Sequence, residues 1–304
     1  MAYLHSDREQ FRDAIDLAYE QTGVMVQAIE KDYYVTMLLR LLAQKMPYIV
    51  FKGGTSLSKC HKVIRRFSED IDITIDTLLS QGQKKKIKQA IVESAEKLGM
   101  TIENLDETRS RRDYNRYVIA YDSVIPMASD ALKAAVLLET SYTAVSFPTV
   151  LLPVHSYIGD MMEQEAPDAI EEYNLNPFEM KVQGIDRTLA DKVFAVCDYY
   201  LQGKVAKHSR HLYDIYKLLP LVPQDENFKE LVKEVRAVRE QSVICPSALP
   251  EADVPELLEK IIKEKAYKQD YDSLTTQLLE ETVPYDTVIA TLKKVAENSL
   301  FENN

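Results

Sequence analysis

The chain has 304 residues, of which 46% are apolar and 28% are charged, and its formal net charge at pH 7 is −11. This length predicts about two domains, and the apolar content predicts packed cores rather than disorder. No apolar run approaches the ~20 residues needed to cross a bilayer, and the first ten residues lack a secretion signal, so we expect a cytoplasmic protein that contacts no membrane. The negative net charge argues against extensive nonspecific binding of polyphosphates, because such binding requires many basic residues.

The cysteines and histidines indicate no metal or disulfide framework. Cys60, Cys197 and Cys245 lie far apart and form no CxxC pair, so we expect them to be reduced and structural. The histidines show neither an i,i+4 metal pair nor a catalytic triad, which leaves little support for a hydrolase based on them.

The first 45 residues are predicted to form two helices. Ser6 followed by Glu9 has the spacing of a capping box, and apolar residues then recur at helical spacing until Gly23. A second apolar stripe predicts a helix over 26–44, and Pro47 ends it.

The next 30 residues predict a strand, a tight turn, a short helix and a second strand. Residues 48–51 favour a β-strand, the glycine pair at 53–54 forms the turn, and Thr55 caps a helix that runs to about Ile64. Residues 70–76 alternate with the period of a strand, so isoleucines occupy one face and polar side chains the other. The polar face is predicted to carry Asp70, Asp72, Thr74 and Asp76.

The remaining chain changes from mixed structure to helix near residue 184. A helix is predicted over 82–98, and β-favouring runs follow at 115–121, 134–140 and 148–153. We therefore predict an α/β (α+β) domain over 1–184 and an all-α domain over 185–304. The helical segments predicted in the second domain are a helix from residue 185 to about 200, then 212–218, 228–238, 254–262 and 285–295.

The alternation places the carboxylates of Asp70 and Asp72 side by side. At about 4 Å, two like charges repel by roughly 4 kcal/mol at an effective dielectric near 20. Mg²⁺ would relieve this repulsion, since it prefers oxygen ligands and often takes one or two carboxylates together with substrate phosphates. The alternative is a polar face that is exposed to solvent and binds no metal, as on a half-exposed antiparallel strand.

The segment Gly53-Gly54-Thr55-Ser56 precedes this strand and favours a phosphate site. Glycines let backbone approach an anion at the start of a helix, and the hydroxyls can donate to phosphate oxygens. The spacing matches neither GxxxxGK[ST] nor GxGxxG, which argues against a P-loop or a dinucleotide fold. A strand, a Gly-Gly turn, a helix and a strand with Asp-x-Asp instead resemble the polymerase-β-like nucleotidyltransferases, whose core is a mixed sheet.

Several segments together resemble the AbiEii/AbiGii-type toxin family, which includes the MenT toxins. GGTSLSK at 53–59 and RFSEDIDI at 66–73 carry the resemblance. It extends to EKDYYVT at 30–36, LADK at 189–192 and RHLYDI at 210–215. These segments span residues 30–215, and the tail beyond Val222 carries no motif of the family.

The resemblance implies roles for five charged residues. Asp70 and Asp72 would ligate Mg²⁺, with Glu139 as a third carboxylate from a neighbouring strand, although a glutamate at the end of an exposed strand is common. Lys192 would meet the β or γ phosphate of a bound NTP, and Asp214 would balance Lys192 or order the site. A lysine beside an apolar helix stripe is otherwise a snorkelling surface residue.

Nucleotide contacts are expected from the turn and from the residues that precede the acidic strand. Arg66 has an alternative as a surface partner of Glu69. The predicted nucleotide-binding residues are Gly53, Gly54, Thr55, Ser56, Lys59, Arg66 and Ser68.

The resemblance implies an enzyme that transfers a nucleoside monophosphate from an NTP and releases pyrophosphate. The acceptor it implies is a tRNA 3′ end. The chain has three basic clusters, at 84–88, 109–116 and 204–211; those at 109–116 and 204–211 would suit RNA unless they are ordinary solvated faces. A cognate antitoxin is an expected partner. The alternatives are a protein or small-molecule acceptor, a kinase-type phosphotransferase, and a noncatalytic nucleotide-binding module.

Overall fold

The computed structural model describes residues 2–68, 70–126 and 134–302. Contacts divide the chain into two units, one formed by residues 1–61 and 68–183 and the other by residues 62–67 and 184–304. Residues 62–67 thus pack with the second unit, although their position in the sequence predicts the first domain. Within the described residues, no helix is long and apolar enough to cross a membrane.

The first unit is built on one mixed sheet, which confirms the predicted α/β (α+β) class. The strand order is β3-β4-β5-β2-β1-β7-β6. Strand β2 pairs antiparallel with β1 and parallel with β5, so it lies in the interior of the sheet. The strands are β1 (Ile49–Lys52), β2 (Asp70–Ile75), β3 (Thr101–Ile102), β4 (Tyr114–Ala120), β5 (Ala135–Val145), β6 (Thr149–Val154) and β7 (Phe178–Gln183).

Helices of the first unit cover its core, which contains buried aromatic and aliphatic side chains from both the helices and the sheet. The second predicted helix is confirmed. It is buried on more than one of its faces, since 14 of its residues are buried. Two helices between β6 and β7 were not predicted. The helices are α1 (Arg8–Thr22), α2 (Val26–Lys45), α3 (Gly53–Lys59), α4 (Gln81–Lys97), α5 (Tyr157–Glu165) and α6 (Pro167–Tyr173).

Two predicted helix starts were wrong. Asp7 rather than Ser6 caps α1, because its side chain accepts the backbone N–H groups of Glu9 and Gln10. Helix α3 begins at Gly53 rather than at Thr55, and it ends at Lys59 rather than near Ile64. The glycine pair therefore forms the first turn of the helix.

Strand β2 follows the predicted alternation. Ile71, Ile73 and Ile75 are buried, whereas Asp70 and Asp72 are half-buried. Thr74 does not fit the alternative of a solvated polar face, because it is only 3% exposed. Within β2, the polar face is therefore open at the two aspartates and closed at Thr74.

The second unit is helical, as predicted. A helical segment at 268–278 with a π-helical turn at Tyr271–Thr275 was not predicted. Its helices are α7 (Ile185–Leu201), α8 (Arg210–Leu218), α9 (Glu226–Glu240), α10 (Val254–Glu264), α11 (Lys268–Asp270), α12 (Thr276–Leu278) and α13 (Tyr285–Glu297).

Candidate active site

The turn after β1 lies directly against the acidic strand. Gly53 has a left-handed φ of +79°, and a Cβ added there would lie 2.9 Å from Cγ of Asp72 and closer still to its Oδ2. Glycine alone satisfies both the dihedral angle and this approach. The structure thus brings the predicted phosphate-binding turn and the predicted metal ligand Asp72 together.

Asp72 belongs to a row of charged residues that crosses four strands. The register places Lys52 opposite Asp72, Asp72 opposite Glu139, and Glu139 opposite Arg116. Paired residues present their side chains on the same face of a sheet, so the row reads positive, negative, negative, positive. Asp70 lies on this face two residues before Asp72.

Glu139 experiences the negative charge of this face. Burial raises its pKa, and the charges of Asp72 and Asp70 raise it further. The Tyr114 hydroxyl donates a hydrogen bond to Glu139, and Nε of Arg116 lies 3.7 Å from Oε1 of Glu139. Glu139 is therefore close enough to both aspartates to be repelled by them, and a divalent cation relieves repulsion of this kind.

The aspartate pair provides a donor set that suits Mg²⁺. Among residues 2–68, 70–126 and 134–302, no three His, Cys, Asp or Glu side chains are grouped so that they could hold one metal ion. Mg²⁺ needs fewer protein ligands than that, because it keeps several waters and takes oxygens from substrate phosphates. Asp70 and Asp72 fit such an ion, and Glu139 as a third ligand stays a prediction.

The hydroxyl groups near the turn already make hydrogen bonds within the protein. Ser56 is fully buried, and its Oγ donates to the carbonyl oxygen of Gly53 at 2.9 Å. The hydroxyls of Thr55 and Ser68 lie 2.9 Å apart, with either able to donate. These bonds fix the turn and the residues before β2, and the predicted phosphate contacts of these side chains remain predictions.

Lys59, predicted to contact phosphate, is held by a carboxylate in the first unit. Its ammonium pairs with Oδ1 of Asp32, and both side chains are largely buried. The other oxygen of Asp32 accepts the backbone N–H of Tyr157 at 3.1 Å. This pairing ties α3 to α2 and gives Lys59 a structural role that the sequence did not reveal.

We expect Lys59→Met to lower the free energy of unfolding by about 2 kcal/mol, because it leaves the Asp32 carboxylate buried without its cation. Urea unfolding measures this change. The double variant Lys59→Met/Asp32→Asn should recover part of the loss, since the unpaired charge is then gone. Nucleotide KM measured in this double variant tests the predicted phosphate contact separately from folding: a raised KM supports it, and an unchanged KM removes it.

The second unit buries an ion-pair cluster that contains three predicted site residues. Nε of Arg66 donates a hydrogen bond to Oδ1 of Asp214 at 2.7 Å, and Nη2 of Arg66 donates one to Oδ2 at 2.9 Å. Arg66 is only 2% exposed, so the alternative of a surface pair does not hold for it. Its proposed partner there, Glu69, lies outside the described residues.

Lys192 shares the same carboxylate. Its Nζ lies 2.9 Å from Oδ2 of Asp214, so the two residues that the resemblance pairs are in contact. Burial lowers the pKa of Lys192, and the Asp214 charge opposes that change. Burial alone would raise the pKa of Asp214, but the charges of Arg66 and Lys192 outweigh it and hold this pKa well below its ordinary value. The catalytic roles of Lys192 and Asp214 stay predictions.

Sequence reasoning missed some residues of these two groups and, for others, missed only the contact that they make. Arg66 and Asp214 are 148 positions apart, and no local pattern predicts their contact. Lys52 and Tyr114 are recognisable only after the strand register is known. His211 did carry a signal, because it precedes Asp214 by three residues and thus shares a helix face with it.

Comparison with solved structures identifies the fold as that of a nucleotidyltransferase. MenT4, a nucleotidyltransferase toxin from Mycobacterium tuberculosis H37Rv, superposes with a TM-score of 0.51 over 93% of this chain and 88% of that chain. The sequences are 16% identical, so this likeness shows the fold alone. Comparison with curated protein sequences gives no significant match.

A match to a protein-family model identifies the family of this chain. The model of the AbiEii toxin, a nucleotidyl transferase of type IV toxin–antitoxin systems, matches residues 36–291. The chain therefore belongs to the AbiEii toxin family and is a nucleotidyltransferase. The match also covers α9 to α12 and continues into α13, a region in which the sequence showed no recognisable motif.

Proposed function

We propose that this enzyme transfers a nucleoside monophosphate from an NTP to the 3′ end of a tRNA and releases pyrophosphate. The observation that carries the proposal is the approach of Gly53 to Asp72. Because the two residues are so close, the phosphates of one triphosphate could contact the turn while a metal ion bound to those phosphates contacts the acidic strand. A scaffold that binds no nucleotide has no need for this close approach.

Mg²⁺ is the metal that this donor set suits, with Asp70 and Asp72 as its protein ligands. When bound, the ion would neutralise charge on the triphosphate and orient it for displacement at the α-phosphorus. The residues of the chain supply the rest of the binding. The Gly53-Gly54 backbone would approach the phosphates, and Lys192 would contribute a point charge to them.

The basic residues of the first unit favour an anionic acceptor. Arg111 and Arg112 are exposed in the segment before β4, and Arg116 is 53% exposed beside Glu139. Because the whole chain carries a net charge of −11, contacts to RNA phosphates must come from such local groups. We expect the reaction to occur in the cytoplasm and to be opposed there by a cognate antitoxin.

Incubation with labelled NTPs, Mg²⁺ and total RNA tests this function. We expect label from the α-phosphate in RNA of tRNA size, one pyrophosphate per transfer, and loss of both signals when EDTA is added. Label from the γ-phosphate in any acceptor would identify a kinase-type reaction instead. Label in protein or in a small molecule would show that the acceptor is not tRNA. Nucleotide binding without turnover would identify a noncatalytic module.

A further inference from the structure

His211 lies against the Lys192 ammonium in the buried cluster of the second unit. Its Nδ1 is 3.1 Å from Nζ of Lys192. An ammonium group can only donate hydrogen bonds, so Nδ1 must accept. His211 is therefore neutral, with its proton on Nε2.

The surroundings of His211 keep it in this state. Burial lowers its pKa to about 3, and the charge of Lys192 adds to this effect. It therefore stays neutral throughout the pH range in which the enzyme would work. The titratable and charged groups around it are Lys192 and Tyr199 of α7, Arg210 and Asp214 of α8, and His208 before α8. Asp214 also pairs with Arg66.

The plane of the His211 ring is set by its neighbours. The rings of Tyr199 and His211 are nearly parallel, at an angle of 4° with centroids 5.7 Å apart. Tyr199 also stacks on His208, with centroids 3.5 Å apart. Because His211 and Asp214 are one turn apart on α8, both acceptors approach the Lys192 ammonium from the same helix.

We propose that His211 is a positioning residue for Lys192. An ammonium group has three N–H donors. Asp214 accepts one and His211 accepts another, which orients the third toward a phosphate oxygen of the nucleotide. The inference rests on the proposed function, because it takes the triphosphate as the ligand of Lys192.

Two substitutions separate hydrogen bonding from packing at this position. His211→Asn keeps an acceptor near the place of Nδ1 but removes the ring, whereas His211→Phe keeps a flat ring beside Tyr199 without an acceptor. We expect His211→Phe to raise the nucleotide KM by about tenfold, the cost of one hydrogen bond to a charged group. His211→Asn should stay within about threefold of the wild type. The reverse order would overturn the proposal, because it would show that packing of the ring matters and the acceptor does not.

A matched control uses another imidazole. His155 also has Nδ1 bonded to a side chain, Oδ1 of Asp160 at 2.9 Å, but neither residue is a predicted contact of the nucleotide or the metal. We expect His155→Asn to leave the nucleotide KM unchanged. A rise equal to that of His211→Phe would show a general effect of losing a histidine and would overturn the proposal.

Nitrogen-15 NMR of the wild-type protein tests the geometry without any turnover. We expect His211 to show a bare Nδ1 and a protonated Nε2, with no titration between pH 5 and pH 8. A protonated Nδ1 would overturn the inference even if the enzyme is active. Conversely, an inactive wild-type protein with the expected NMR signature would count against the proposed function while leaving the Lys192–His211 contact in place.

Discussion

Asp72→Asn is expected to lower the rate of nucleotide transfer by about 10³-fold or more. Loss of a single preorganised group that stabilises transition-state charge already costs about 10²–10³ in rate, and Asp72 would also hold the metal ion. Initial rates with α-labelled NTP measure the effect. Expression of the variant in growing cells provides a second measurement, because the loss of transfer should also relieve growth arrest.

The fold should survive this substitution. Asp72 raises the pKa of Glu139 through its charge, so its removal relieves a like-charge repulsion on the sheet surface. We therefore expect the free energy of unfolding to change by less than about 1 kcal/mol. Far-UV circular dichroism and urea unfolding would confirm that the lost activity reflects the site and not unfolding.

Asp76→Asn is the matched control. Asp76 follows the same strand, but its carboxylate pairs with Lys181 and is not a predicted metal ligand. The control removes the same charge and should retain transfer within about threefold. Undiminished growth arrest by Asp72→Asn, or equal losses in both variants, would contradict the assignment of Asp72 to the metal.

The acidic strand could be predicted because the pattern that defines it is local. Alternation with period two separates Ile71 and Ile73 from Asp70 and Asp72, and one face of β2 is in fact buried while the two aspartates stay half-buried. Burial of Thr74 could not be predicted, since it depends on which elements cover that end of the strand.

The boundaries near the glycine turn were less predictable because several residues can cap a helix. Ser6 and Thr55 both have side chains suited to an N-cap, yet Asp7 caps α1 and α3 begins at Gly53. The left-handed φ of Gly53 and its distance to Asp72 are set by the pairing of β1 with β2. Such tertiary pairing outweighs the local preference of a hydroxyl side chain.

The buried ion pairs could not be predicted from spacing at all. Lys59 and Asp32 are 27 positions apart, and Arg66 and Asp214 are 148 apart. A lone lysine or arginine in a helix pattern is typical of a solvated surface, so each was assigned to a ligand or a surface contact. The resemblance did link Lys192 to Asp214, but it gave no indication that Arg66 and His211 share the same cluster.

We expect Gly53→Ala to abolish most activity and to destabilise the first unit. Alanine in the left-handed region costs about 1–2 kcal/mol, and its Cβ would collide with the Asp72 carboxylate. The free energy of unfolding should therefore fall by at least about 2 kcal/mol. The transfer rate should fall by about 10²-fold or more, because Asp72 must leave its position in the row.

Gly23→Ala isolates the backbone contribution to this effect. Gly23 has a φ of +71°, and nothing lies within 4 Å of a Cβ added there. This control carries the same dihedral strain without a collision, so we expect a loss of about 1 kcal/mol and an unchanged transfer rate. Unfolding in urea measures both variants under the same conditions.

The double variant Gly53→Ala/Asp72→Ala tests whether the collision itself is responsible. If Asp72 is the group that the new methyl meets, its truncation should restore at least about 1 kcal/mol of the stability lost in Gly53→Ala, without restoring transfer. A double-mutant cycle of urea unfolding measures this coupling. Strict additivity would mean that Gly53 and Asp72 do not touch, and then the turn and the acidic strand could not bind one triphosphate through a shared metal ion.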